Sequence, residues 1–120
     1  MANPFVHVEL NAADAAKAKA FYSQLFQWKL GDVPNPVVPG GSYTMIEVGS
    51  GTGGGIIQQI PGGPSGWLAY VEVDDIRATM EKAESLGGKI MKDVTEVPSM
   101  GWFSFIQDPN GAVLGLWKSR

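Results

Sequence analysis

With 120 residues, 44% of them hydrophobic and only 18% charged, the chain has the length of one ordinary domain and enough apolar material for a core, which argues against disorder along its length. Nine Lys and Arg against 12 Asp and Glu leave a net charge of −3 with no basic cluster, so no nucleic-acid partner is expected. The absence of Cys removes disulfides, thiolate zinc sites and cysteine nucleophiles and suits a reducing compartment, while a single His restricts metal chemistry.

From the N-terminus, Phe5 to Leu10 alternates Val6, Val8 and Leu10 with His7 and Glu9, the pattern of a half-buried strand with His7 and Glu9 on one face. Asp14 then caps a predicted helix whose apolar stripe is Ala18, Phe21, Tyr22, Leu25 and Phe26. A proline-rich loop, Pro34 to Gly41, leads to a strand from Tyr43 to Val48. A glycine loop and a short strand from Ile56 to Ile60 follow. Gly49, Gly51 and Gly54 match the spacing of a dinucleotide fingerprint, but that fingerprint needs a helix next to hold the pyrophosphate, and here a strand ending at Pro61 follows. Nucleotide binding is therefore rejected. The stretch from Val48 to Val71 has no charge, yet its Gly, Pro and Gln residues do not suit a membrane span. The opening Met-Ala-Asn-Pro lacks a basic region followed by an apolar run, so a cytoplasmic protein is expected, with no membrane partner.

A second cycle begins at Leu68. Strand Leu68 to Val73 alternates as the first did, Asp75 caps a helix with the stripe Ile76, Met80, Ala83 and Leu86, and Gly87-Gly88 ends it. Strands from Lys89 to Val94, Trp102 to Gln107 and Ala112 to Trp117 follow, the last two joined by the turn Asp108-Pro109-Asn110-Gly111. Superposing the cycles puts His7 on Leu68, Asp14 on Asp75 and Leu25 on Leu86. The chain thus reads as an α+β protein of two tandem βαβββ modules, about 1–62 and about 66–120, within a single domain spanning residues 1–120. Only two of the three later strands are distinct in the first half.

The motifs Val6-His7-Val8-Glu9-Leu10 with Asp14 and Phe21-Tyr22, Tyr70-Val71-Glu72-Val73-Asp74-Asp75, Leu86-Gly87-Gly88-Lys89 and Asp108-Pro109-Asn110-Gly111-Ala112, in this order, resemble the vicinal oxygen chelate superfamily of glyoxalases, bleomycin-resistance proteins and extradiol dioxygenases. The resemblance implies two modules forming a curved mixed sheet around a cleft, where the enzymes hold a divalent metal by one ligand from the first and one from the last strand of each module. Carried onto this sequence, those positions are His7, Gln58 (or Gln59 after a shift of one residue), Leu68 and Gly115. Leu68 and Gly115 have no donor side chain, and an amide is a weak ligand, so no metal or other cofactor is expected. If a metal binds, the set available is His7, Gln58 and Glu9.

His7 has the chemistry of a ligand contact or general base, or it is an inherited polar residue. Glu9 and Glu72 are either a carboxylate pair for acid–base work or a solvated rim. Tyr70, Trp102 and Trp117, with Gly115 leaving room beside them, suggest an apolar, partly aromatic pocket. The expectation is a metal-free, homodimeric small-molecule-binding protein that takes an apolar or aromatic ligand through His7, Gln58, Leu68, Tyr70, Trp102, Gly115 and Trp117. Two alternatives stand beside it: a metal-dependent lyase or dioxygenase with an unusual ligand set, and a non-catalytic interaction subunit.

Overall fold

The computed structural model describes residues 2–120, the side chain of Pro39 apart. Strand β1 (Phe5–Ala12), helix α1 (Ala15–Leu25) and strands β2 (Lys29–Pro34), β3 (Ser42–Glu47) and β4 (Gly54–Gln58) make the first cycle. Strand β5 (Gly66–Glu72), helix α2 (Ile76–Ser85) and strands β6 (Lys89–Val97), β7 (Gly101–Gln107) and β8 (Val113–Ser119) make the second. The α+β, twice βαβββ reading therefore holds. In each cycle the first strand pairs in parallel with the last: β1 with β4, and β5 with β8. The remaining pairs, β2 with β3, β3 with β4, β6 with β7 and β7 with β8, are antiparallel.

Strand β2 is the element that the sequence pattern does not reveal. Its residues are mostly exposed, with only Leu30 contributing to a core, and it ends in Pro34, as an edge strand tolerates. Asp32 anchors it: the Thr44 hydroxyl donates to its carboxylate at 2.5 Å and Lys19 lies 3.4 Å away. The Thr44 bond first, and the Lys19 charge second, hold this carboxyl below its usual range.

The compact units do not follow the sequence cycles to the residue. One is His7–Leu68. The other combines Ala69–Arg120 with the described residues up to Val6, which Asn3 ties in by donating from Nδ2 to the Glu72 carbonyl at 2.9 Å.

Both helices start as expected. Asp14 accepts from the Lys17 N–H and Asp75 from the Ala78 N–H, each at 3.0 Å. Helix α2 ends where Gly87 takes a left-handed φ of 95° and the Gly88 N–H reaches the Ala83 carbonyl at 2.9 Å. Ile76 and Met80 pack with Val73 and Leu116, whereas Leu86, predicted on this stripe, is the exposed cap residue.

Helix α1 departs further from its pattern. Ala15, Ala18 and Tyr22 lie against Leu10, Ala12, Ile46 and Ile56, but Phe21, Leu25 and Phe26 are exposed, and no α1 residue is fully buried. Two small alanines bring the helix close to the sheet over a narrow strip, leaving the flanking aromatics outside it.

Candidate functional site

Alternation along a strand sends successive side chains to opposite faces of the sheet. On β1, Leu10 and Ala12 pack toward α1, so His7, Glu9 and Asn11 occupy the other face. Tyr43 on β3 joins them, and its ring lies over Gly55 of β4, where a Cβ would overlap it. Gly55 is thus required by the close approach of Tyr43.

The three polar groups form a chain. The Tyr43 hydroxyl donates to the Glu9 Oε2 at 2.8 Å, and His7 Nε2 lies 2.6 Å from the same hydroxyl oxygen. A phenol has one proton to give. Because that proton goes to Glu9, the His7 contact is a bond donated by Nε2–H, which makes Nδ1 the unprotonated nitrogen of the ring. Burial holds the His7 pKa below its ordinary value, so the imidazole is neutral at pH 7. Glu9 is only 6% exposed, and Tyr43 is buried beside it. A buried carboxylate is costly without such donors. The solvated-rim reading of Glu9 is therefore corrected: its face is turned away from α1, but it lies inside. Next on the strand, Asn11 is buried and its Nδ2 has no hydrogen-bond partner among the described residues. A buried donor without an acceptor is rare enough to mark a site.

The other expected positions do not gather here. Gln58 lies on the α1 face: its Oε1 accepts from the Ala15 N–H at 3.1 Å and its Nε2 donates to the Ala13 carbonyl at 2.6 Å, so it serves the exposed start of the helix. Gln59 donates to the Gly63 carbonyl at 3.3 Å. The pairing of Glu9 with Gly55 and of Tyr70 with Gly115 makes Gly55, and not Gln58, the counterpart of Gly115. Leu68 is buried.

In the other unit the corresponding face is aromatic. Tyr70 lies across Gly115, whose missing Cβ is the space the ring occupies, so the room expected at Gly115 is already filled. Tyr70 packs against Phe105 at 6.1 Å between ring centroids, and Phe105 against Phe103 at 5.4 Å. Trp117 is paired with Phe103 across β7 and β8 and is half-buried. Trp102 is on the opposite face, paired with Lys118 and lying 4.7 Å below the Arg120 guanidinium, so it does not join Tyr70 as expected. Glu72 accepts from the Ser119 hydroxyl at 3.3 Å.

The donor set does not make the metal centre that the resemblance implies. His7 Nε2 carries a proton, the Glu9 carboxylate takes one from Tyr43, Gln58 is on the wrong face, and Gly55, Leu68 and Gly115 supply nothing. No group of three His, Asp or Glu side chains comes together among the described residues. A divalent ion held by protein needs about three such donors or more, so these residues do not fit one. Tyr43, which joins His7 to Glu9, is the member of this cluster that the sequence pattern does not single out. Its signal was a polar-tipped aromatic opening a strand opposite one that begins with glycines.

Residues 5–116 match the family model described as Glyoxalase/Bleomycin resistance protein/Dioxygenase superfamily. Among curated proteins, CFP32 of Mycobacterium tuberculosis, named as a proposed glyoxylase, is 37% identical over 94% of this chain. The chain spans only 44% of that relative's length. A glyoxylase-like domain-containing protein of Didymella fabae is 31% identical over 87% of the chain and 84% of its own length. Among solved structures, methylmalonyl-CoA epimerase from Mycobacterium tuberculosis superposes with a TM-score of 0.69 over 97% of this chain and 87% of that one, at 17% identity. That likeness is one of fold.

Proposed function

From the premise that this chain belongs to the Glyoxalase/Bleomycin resistance protein/Dioxygenase superfamily, we propose that it binds a small molecule without a metal, on the sheet face that carries His7, Glu9 and Asn11. The hydrogen-bond chain His7–Tyr43–Glu9 carries this reading, because it ties the two candidate donors of this face to a phenol, with no third His, Asp or Glu beside them among the described residues. It also fixes the orientation of the imidazole ring on this face. The Asn11 amide adds a buried donor on the same face. A ligand with a donor and an acceptor on an otherwise apolar or aromatic body suits this face.

We extend the reading to a homodimer, in which a second copy brings the assembly to a length comparable with that of CFP32. A cytoplasmic location accords with the lack of cysteine. No helix among the described residues is long and apolar enough to cross a membrane.

The test begins with metal analysis of protein purified without added ions, then calorimetric titration with Ni²⁺, Zn²⁺, Mn²⁺ and Fe²⁺. Substoichiometric metal and no saturable binding are expected. One equivalent of metal that His7→Ala abolishes would overturn the proposal in favour of a metal-dependent enzyme. A screen of neutral aromatic and amide-bearing compounds, read by the His7 imidazole resonances, follows. Compounds that shift them in the wild type and bind at least about tenfold more weakly to Asn11→Ala support the site. A screen without hits favours the interaction-subunit reading.

A further inference from the structure

The sheet of the His7–Leu68 unit has a concavity on the face that carries α1, opposite to His7. It encloses about 270 Å³ and is lined by Val8, Ile46, Val48, Gly54 and two tryptophans, Trp28 and Trp67, with Thr52 and Gly53 completing the wall. None of these side chains is charged. Thr52 and the indole N–H groups are its only polar side-chain atoms.

The tryptophans are fixed as walls. Trp28 stacks on Tyr22 at 5.7 Å with 26° between ring planes and lies 4.7 Å from Phe26. Trp67 meets both Tyr22, at 5.5 Å and 73°, and Trp28, at 6.3 Å and 81°. The two indoles thus stand nearly perpendicular to each other, and stacked and edge-to-face contacts are the two geometries in which aromatic rings attract a third. Trp67 is nevertheless 44% exposed. An indole braced on two sides and open on a third is a preorganised contact, and preorganised walls lose little entropy on binding.

The geometry points to a second binding site here, for a neutral, flat molecule of one or two fused rings. Charge is disfavoured because no opposite charge lines the wall and a desolvated ion would stay unpaired. Size is limited because pockets for drug-sized ligands start at about 300 Å³, slightly above this one. This site is independent of the proposal for the His7 face.

Coumarin, neutral, planar and bicyclic, is the probe, with coumarin-3-carboxylate as its charged counterpart. The four tryptophan indole N–H resonances, assigned by single Trp→Phe variants, report the location. Coumarin is expected to shift those of Trp28 and Trp67 while leaving those of Trp102 and Trp117 and the His7 imidazole unmoved, and the carboxylate to bind at least about tenfold more weakly. Trp67→Ala should weaken coumarin about tenfold. Val48→Phe, which fills the cavity and keeps both indoles, should abolish the shifts. Three results would overturn the proposal: shifts confined to the His7 face, equal binding by both probes, or Trp67 shifts that grow with protein concentration in the absence of coumarin. The last would make this face a contact between copies of the chain.

Discussion

The sheet faces turned away from the two helices, built by the same order of elements, have been filled in opposite ways. In the His7–Leu68 unit a tyrosine lies over Gly55 and uses its hydroxyl to join a buried imidazole to a buried carboxylate. In the other unit a tyrosine lies over Gly115 as part of a stack with Phe105 and Phe103. A glycine beneath a tyrosine ring is thus compatible with a polar chain on one face and an aromatic stack on the other. The neighbours on the first strand decide which: His7 and Glu9 in one case, Leu68 in the other. Of the positions that the resemblance names, His7 and Gln58 lie in the first repeat, while Leu68 and Gly115 in the second carry no donor side chain.

The sharpest way to break this contrast is to put a carboxylate at Gly115. Gly115→Glu must displace the Tyr70 ring and bury a charge, and a loss of about 3 kcal/mol or more in urea unfolding is expected. A variant as stable as the parent would show that the room next to Tyr70 is open after all. Next in size is Tyr43→Phe, which removes the donor to Glu9 and the acceptor of His7 together and should cost about 2 kcal/mol. Phe103→Leu, a change of packing alone, should cost less, about 1 kcal/mol. If the order is reversed, the polar chain is not what organises its face.

The single histidine gives a clean pH signature. The His7 imidazole titrates near 6.5 when unfolded and lower when folded. As pH falls below 6.5 the unfolded chain takes up the proton first, so this contribution to stability is complete above 6.5 and declines on acidification until the folded imidazole also titrates. The slope approaches at most about 1.4 kcal/mol per pH unit. In His7→Gln this part of the stability profile, measured between pH 7 and 5.5, should be flat. The smallest effect is expected at Gln58→Ala, a loss of about 0.5 to 1 kcal/mol from the start of α1, with binding on the His7 face unchanged. A Gln58→Ala variant that loses the ligand would return Gln58 to the site.

What the sequence made legible follows from what each signal depends on. The alternation of Val6 to Leu10 and the caps at Asp14 and Asp75 are local, and they survive in the structure with little change. Strand β2 was hidden because an exposed edge strand needs no apolar alternation. Gln58 falls on the other face because strand period is two, and the position that matches Gly115 is Gly55, an odd offset of three residues away. Trp102 and Phe103, adjacent in sequence, part company for the same reason. Tyr43 and Gly55 belong to different strands, and no local pattern says that one covers the other. The cavity between Trp28 and Trp67 likewise joins residues far apart in the chain.

The protonation of one ring separates a metal-free site from a metal centre, and the ¹⁵N and ¹H resonances of the only histidine report it without ambiguity of assignment. At pH 7 Nε2 should carry the proton and Nδ1 should be unprotonated, and one equivalent of Zn²⁺ should leave both nitrogens unmoved. A proton on Nδ1, with Nε2 shifting stoichiometrically on addition of Zn²⁺, would contradict it and restore His7 to the role of a metal ligand.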